Sequence, residues 1–158
     1  MAEAITETQI GLARAGTISP AMSAVAGHER LTEEEIRDGV AAGKIVIPCN
    51  VNHGELAPIG IGRCLRVKIN ANIGNSSLAS GAAAELRKLE VAIRYGADTV
   101  MDLSTGDDVD AIREAVIRHS TVPIGTVPIY EAACHVEDTN DITVEMLLSV
   151  IEKQARQG

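Results

Sequence analysis

The residues best equipped for chemistry stand where apolar runs end. "KIVIPCNVN" closes on Asn50 and Asn52, "CLRVKINANIG" on Asn70 and Asn72, "TVMDLSTG" on Asp102, Ser104 and Thr105, and "VPIGTVPIY" on Tyr130. Amides, hydroxyls and a carboxylate donate and accept enough hydrogen bonds to hold a small polar molecule. Taken singly, such residues more often build turns and helix caps. Four run ends loaded in the same way point to a shared binding site. "INANIGNSS" invites a second reading, because Gly74, Asn75 and Ser76 could present backbone donors to a phosphate. It lacks the lysine of a phosphate loop and the full dinucleotide fingerprint, so that reading stays secondary.

Metal chemistry has less to work with. Cys49, Cys64 and Cys134 are widely spaced and odd in number, with no C-x2-C or H-x2-H pair. They read as buried small residues and as free thiols of a reducing cytoplasm, not as a disulfide framework. His53, in "NVNHGEL", reads as a loop hydrogen-bonding residue; His28, His119 and His135 read as surface or helix-end residues.

The elements that must position these groups follow from pattern. Residues 1–43 form a helical amino-terminal segment. "TETQIGLARAG" is a short amphipathic helix stopped by Gly16, and Ser19 caps a second helix that has Pro20 at its first position. Thr32 with Glu35 makes a capping box, and Gly43 ends the third helix. From residue 44 to 158 strands and helices alternate, with strands near 45–51, 66–71, 98–103 and 123–128. "AAAELRKLEVAIRYG", "DDVDAIREAVIRHS" and "TVEMLLSVIEKQARQG" are the helices, the second opening on Asp107 and Asp108 where the helix dipole favours acids. Tyr95 is expected to pack on its own helix. Alternation argues an α/β fold with a parallel sheet, and ligand sites of such folds lie at the carboxyl ends of the strands.

The chain has 158 residues, 46% of them hydrophobic and 1% aromatic, with a formal charge of −8. Its core must be aliphatic. No basic or aromatic-basic patch suggests nucleic acid, and no apolar run suggests a signal peptide or membrane span.

"VIPCNVNHGELAPIGIGRCLRVKINANIGNSS", "YGADTVMDLSTG" and "VPIGTVPIY", with the opening "TQIGLARAGTISPAMSAVA", closely resemble the amino-terminal half of the ThiC family, the phosphomethylpyrimidine synthases of thiamine biosynthesis. The resemblance runs from about Thr8 to Gly158. It implies a (β/α)8 barrel, of which this chain supplies the first βα units. A full barrel takes about 250 residues, so the chain is expected to be a truncated, partial barrel or to pair with another chain.

The resemblance also implies a radical S-adenosylmethionine enzyme that converts 5-aminoimidazole ribonucleotide to 4-amino-5-hydroxymethyl-2-methylpyrimidine phosphate. Members of the family use a 4Fe-4S cluster held by a C-x2-C-x4-C motif, and zinc held by two histidines, both in the later half. They are expected to work as cytoplasmic homodimers. This chain lacks the cluster motif, so alone it is expected to be inactive. Three site residues carry over as contacts of the ribonucleotide: Asn72 by hydrogen bonds, Met101 by adaptable apolar contact, and Tyr130 by a flat ring with a hydroxyl. They stand 29 residues apart in each step, one βα unit, so all three are expected at equivalent strand ends. Two alternatives share the pattern: the paralogous 5-hydroxybenzimidazole synthase acting on the same substrate, and a non-catalytic half-barrel that binds a ribonucleotide or assembles with a partner.

Overall fold

The structure is a computed structural model that describes residues 8–76, 81–106 and 108–158. Asp107, read above as part of an acidic helix start, lies outside them. The chain packs as two units, residues 1–49 with 58–67, and residues 50–57 with 68–158.

The first unit begins with helices α1 (Gln9–Arg14), α2 (Pro20–Glu29) and α3 (Glu33–Ala41). Each starts where the sequence supplies an oxygen for the orphan amides of the first turn. The Thr8 hydroxyl accepts from the Gly11 amide and the Ser19 hydroxyl from Met22 N–H, both at 3.2 Å. Thr32 and Glu35 close the full capping box: Glu35 N–H donates to Thr32 Oγ1 at 3.2 Å and Thr32 N–H to Glu35 Oε2 at 2.8 Å. Met22, Val25 and Ile36 are fully buried at the centre, with Val40, Ile45 and Ile47 around them. Each such aliphatic side chain contributes about 1.5–3 kcal/mol.

Strand β1 (Ile45–Val46) pairs antiparallel with β2 (Ile61–Gly62). This corrects the expectation of a parallel first strand. A parallel partner needs a crossover, usually helical, and no helix lies between Val46 and Ile61.

The second unit carries the expected parallel architecture. Strands β3 (Asn70–Ile73), β4 (Thr99–Asp102) and β5 (Ile124–Thr126) lie in the order β3-β4-β5, all parallel. Helix α4 (Ala82–Arg94) leads from β3 to β4, and α5 (Val109–His119) from β4 to β5. Helices α6 (Pro128–Cys134) and α7 (Val144–Gln157) follow. Ile73 and Val100 from the sheet pack with Leu89 of α4 and Ile112 and Val116 of α5, a core without a single aromatic ring. The fold is thus mixed α/β with a three-stranded parallel sheet.

Two local readings change. The run "VPIGTVPIY" is strand only to Thr126; Pro128 then starts α6, and Tyr130 sits on that helix. Proline at a first helical turn needs no N–H and has its φ preset, so it opens α6 instead of ending a strand. Tyr95, expected to pack on its helix, is 84% exposed at the end of α4.

Candidate functional site on the open face of the parallel sheet

Side chains of a strand alternate between faces. In β3, β4 and β5 the residues Ala71, Ile73, Val100 and Ile124 turn toward the core under α4 and α5. Their neighbours Asn70, Asn72, Thr99, Met101 and Gly125 therefore share the opposite face. The register places Asn72 beside Met101 and Met101 beside Gly125, one row across all three strands. The 29-residue step from Asn72 to Met101 is thus a true register match.

This face is polar on one side and soft on the other. Thr99 Oγ1 donates to Asn70 Oδ1 at 2.9 Å, and Asn70 Nδ2 donates to Asn72 Oδ1 at 2.8 Å. The chain of bonds fixes the Asn72 amide and leaves its Nδ2 with no protein acceptor among the described residues. Asn72 itself is exposed. Met101 lies across Gly125: a Cβ built there would meet Met101 Sδ at 3.2 Å and Cε at 3.3 Å. Glycine at this position gives the thioether room to lie over β5.

Tyr130 does not join the row. The register partner of Met101 is Gly125, and Tyr130 lies past the end of β5, in the first turn of α6. The residue is 49% exposed. Equal spacing in sequence therefore does not mean equal position here, because β5 ends early and a helix begins.

Other strand-end residues are absorbed by structure. Asp102 Oδ1 accepts from Ser104 N–H at 3.0 Å and Ser104 Oγ at 2.5 Å, and Ser104 Oγ accepts from Asn75 N–H at 3.1 Å. Asn50 Nδ2 donates to the Ala155 carbonyl at 2.8 Å and Asn52 Nδ2 to Arg156 at 3.0 Å, satisfying the last carbonyls of α7. His53 is buried, with Nε2 2.8 Å from the Ser120 carbonyl oxygen, the loop role expected of it.

The phosphate-loop reading also meets committed donors. Gly74 N–H donates to Glu85 Oε2 at 2.9 Å and Asn75 N–H is taken by Ser104. Gly74 adopts φ +150°, and a Cβ there would stand 2.8 Å from the backbone of Leu103 and Ser104. Only glycine lets the two loops run this close.

Sequence reasoning missed the charged network behind the site. Arg113 of α5 is 3% exposed and donates from Nη2 to Glu131 of α6 at 2.7 Å and from Nη1 to Gln157 at 3.0 Å. Gln154 Nε2 donates to Glu131 Oε2 at 2.8 Å, and Lys153 forms an ion pair with the same carboxylate. Lys153 also holds Asp110 at 2.9 Å. Burial alone would push the Glu131 carboxyl up; hydrogen bonds from Lys153, Gln154 and Arg113, with the Arg113 charge, outweigh it and bring it down to about 2. Burial likewise opposes the Lys153 charge, and its two carboxylates more than reverse this and raise its pKa. A signal existed: Arg113 occupies the apolar stripe of α5, between Ile112 and Val116, where a charge must find partners.

The cysteines make no cluster site. All three are exposed, against the expectation that they are buried. Among the described residues no group of three His, Cys, Asp or Glu side chains is placed to hold a metal. The described residues therefore offer no set of ligands that fits an iron–sulfur cluster or a zinc ion. No described helix is long and apolar enough to cross a membrane.

Comparison with known proteins agrees with the motifs. Residues 8–158 match the family described as the Radical SAM ThiC family. The chain is 56% identical over 151 residues to the phosphomethylpyrimidine synthase of Natronomonas pharaonis, covering 96% of this chain and 32% of that protein. It is 54% identical over 151 residues to the synthases of Halobacterium salinarum and Haloarcula marismortui, with the same coverage. The chain thus spans about a third of the length of the curated relatives it matches. A match to the family over 8–158, on a fold that sets Asn72 and Met101 side by side, leads to one conclusion: the chain belongs to the radical SAM ThiC family.

Proposed function

We propose that this chain forms the substrate-side βα units of a phosphomethylpyrimidine synthase, the opening part of a (β/α)8 barrel whose lumen is the open face of β3, β4 and β5. The substrate is 5-aminoimidazole ribonucleotide and the product the hydroxymethylpyrimidine phosphate of thiamine biosynthesis. Asn72 offers its Nδ2 donor to the polar edge of the ligand, Met101 lies against the imidazole, and Tyr130 approaches from α6. The family uses S-adenosylmethionine with a 4Fe-4S cluster; this chain's residues bind and orient the substrate. The working enzyme is a cytoplasmic homodimer, and the exposed, free cysteines fit a reducing compartment.

The observation that carries this reading is the register pair Asn72–Met101 on the face that α4 and α5 leave uncovered. Both residues coincide with the positions that the family resemblance singles out. The test is a chimera in which residues 8–158 replace the matching segment of the Natronomonas pharaonis synthase. Turnover of the ribonucleotide is expected, with affinity lost in Met101→Asp. A folded, active chimera in which Asn72→Ala and Met101→Asp both bind the ribonucleotide like the parent refutes the site.

A further inference from the structure

Helix α6, which carries Tyr130, packs against α7. It is seven residues long, too short to be stable on its own. Its buried residues are Glu131 and Ala132. Ala132 gives a small contact, so the direction of the helix depends on where the Glu131 carboxylate is held.

That carboxylate is held by three side chains from two helices. Arg113 of α5 reaches it at 2.7 Å, Gln154 of α7 at 2.8 Å, and Lys153 of α7 pairs with its other oxygen. Gln154 is fixed in turn by Thr126 Oγ1 at the end of β5, at 2.7 Å. Arg113 also turns its Nε toward Asp102 Oδ2 at 3.7 Å, and neither of those buried atoms has a hydrogen-bond partner. Asp102 directly follows Met101, and Glu131 directly follows Tyr130. One buried guanidinium therefore stands behind both residues that are assigned to the substrate. A planar, permanently charged fork can serve two carboxylates in fixed directions in a way that a flexible ammonium cannot.

We infer that Arg113 and Glu131 are positioning residues: their buried ion pair sets the angle at which α6 presents Tyr130 to the ribonucleotide. The inference rests on the reading that Tyr130 meets the substrate, and its test separates the two. The chain has two tyrosines and neither tryptophan nor phenylalanine, so Tyr95→Phe leaves Tyr130 as the one tyrosine emitter. In that background, Glu131→Gln and Arg113→Lys should each change iodide quenching of Tyr130 about twofold while the helical circular dichroism persists. Glu152→Gln removes the same charge from the exposed Glu152–Arg156 pair and should leave quenching unchanged.

In the chimera, Glu131→Gln should weaken ribonucleotide binding about tenfold, and the loss should vanish when Tyr130 is already alanine. A residue that only supports the fold would cost the same with and without Tyr130. Unchanged quenching in both folded variants, or a Glu131→Gln loss of equal size in both backgrounds, overturns the inference. If Tyr130→Ala binds as tightly as the parent, the substrate role of Tyr130 falls, and the quenching result decides the positioning role alone.

Discussion

The acid response of this chain should bear the mark of one carboxylate. Glu131 is 5% exposed and its pKa lies near 2 in the folded chain against an ordinary 4.5. Between those values the unfolded chain binds a proton that the folded chain refuses. The stabilisation is therefore complete above about pH 4.5 and is lost as pH falls toward 2. At 1.36 kcal/mol per unit, the full shift corresponds to about 3 kcal/mol, of which about 2 kcal/mol is gone by about pH 3. Urea unfolding followed by circular dichroism at a series of pH values measures it. The slope of stability against pH between about 4.5 and 3 should be steeper in the parent than in Glu131→Gln, which should be less stable at neutral pH and converge with the parent in acid. Parallel curves for the two proteins across that window would show that the hydrogen bonds of Glu131 do not outweigh its burial, and the reasoning would fail.

Other outcomes follow from single contacts. Asn72→Ala in the chimera should weaken ribonucleotide binding by about 1–3 kcal/mol, read by calorimetric titration, because a buried ligand group loses its donor. Met101→Leu should bind nearly as the parent does, while Met101→Asp should abolish binding by setting an unpaired carboxylate against the ring. Thr32→Ala removes the oxygen that caps α3 and should lower stability by about 1 kcal/mol in chemical denaturation, with Thr32→Ser recovering most of it. Gly74→Ala should cost about 1–3 kcal/mol or more in the same assay, because a methyl must enter where the Leu103–Ser104 backbone already stands.

The helical starts were legible because their signals are local. Thr8, Ser19 and Thr32 each act on an amide three residues away, and the sequence displays both partners at once. The parallel sheet was legible because each alternation from apolar run to amphipathic helix repeats the same unit. What escaped notice depends on partners far apart in sequence. Arg113 finds Glu131 after 18 residues and Gln157 after 44, and no local pattern records either pairing. Asn50 and Asn52 looked like ligand groups because a polar strand end and a helix cap use the same side chains; only the position of α7 distinguishes them. "VPIY" reads as apolar and extended and so suggests a strand end at Tyr130, whereas Pro128 starts a helix.

Synthesis also imposes an order on those two asparagine caps. Asn50 waits for Ala155 and Asn52 for Arg156, contacts 105 and 104 residues apart. At a ribosomal rate of about 5–20 residues per second, the loop exists for roughly 5–20 seconds before its helix end is made. The packing of α1, α2 and α3 draws only on residues made earlier and can complete in that interval. The loop from Asn50 to Ala57 is thus a late clasp, closed by residues made more than 100 positions after it. A chain ending at Val150 should leave the Asn52 amide open to hydrogen exchange while the core amides of α3 stay protected; equal protection in the shortened and full chains would show that the loop closes without α7.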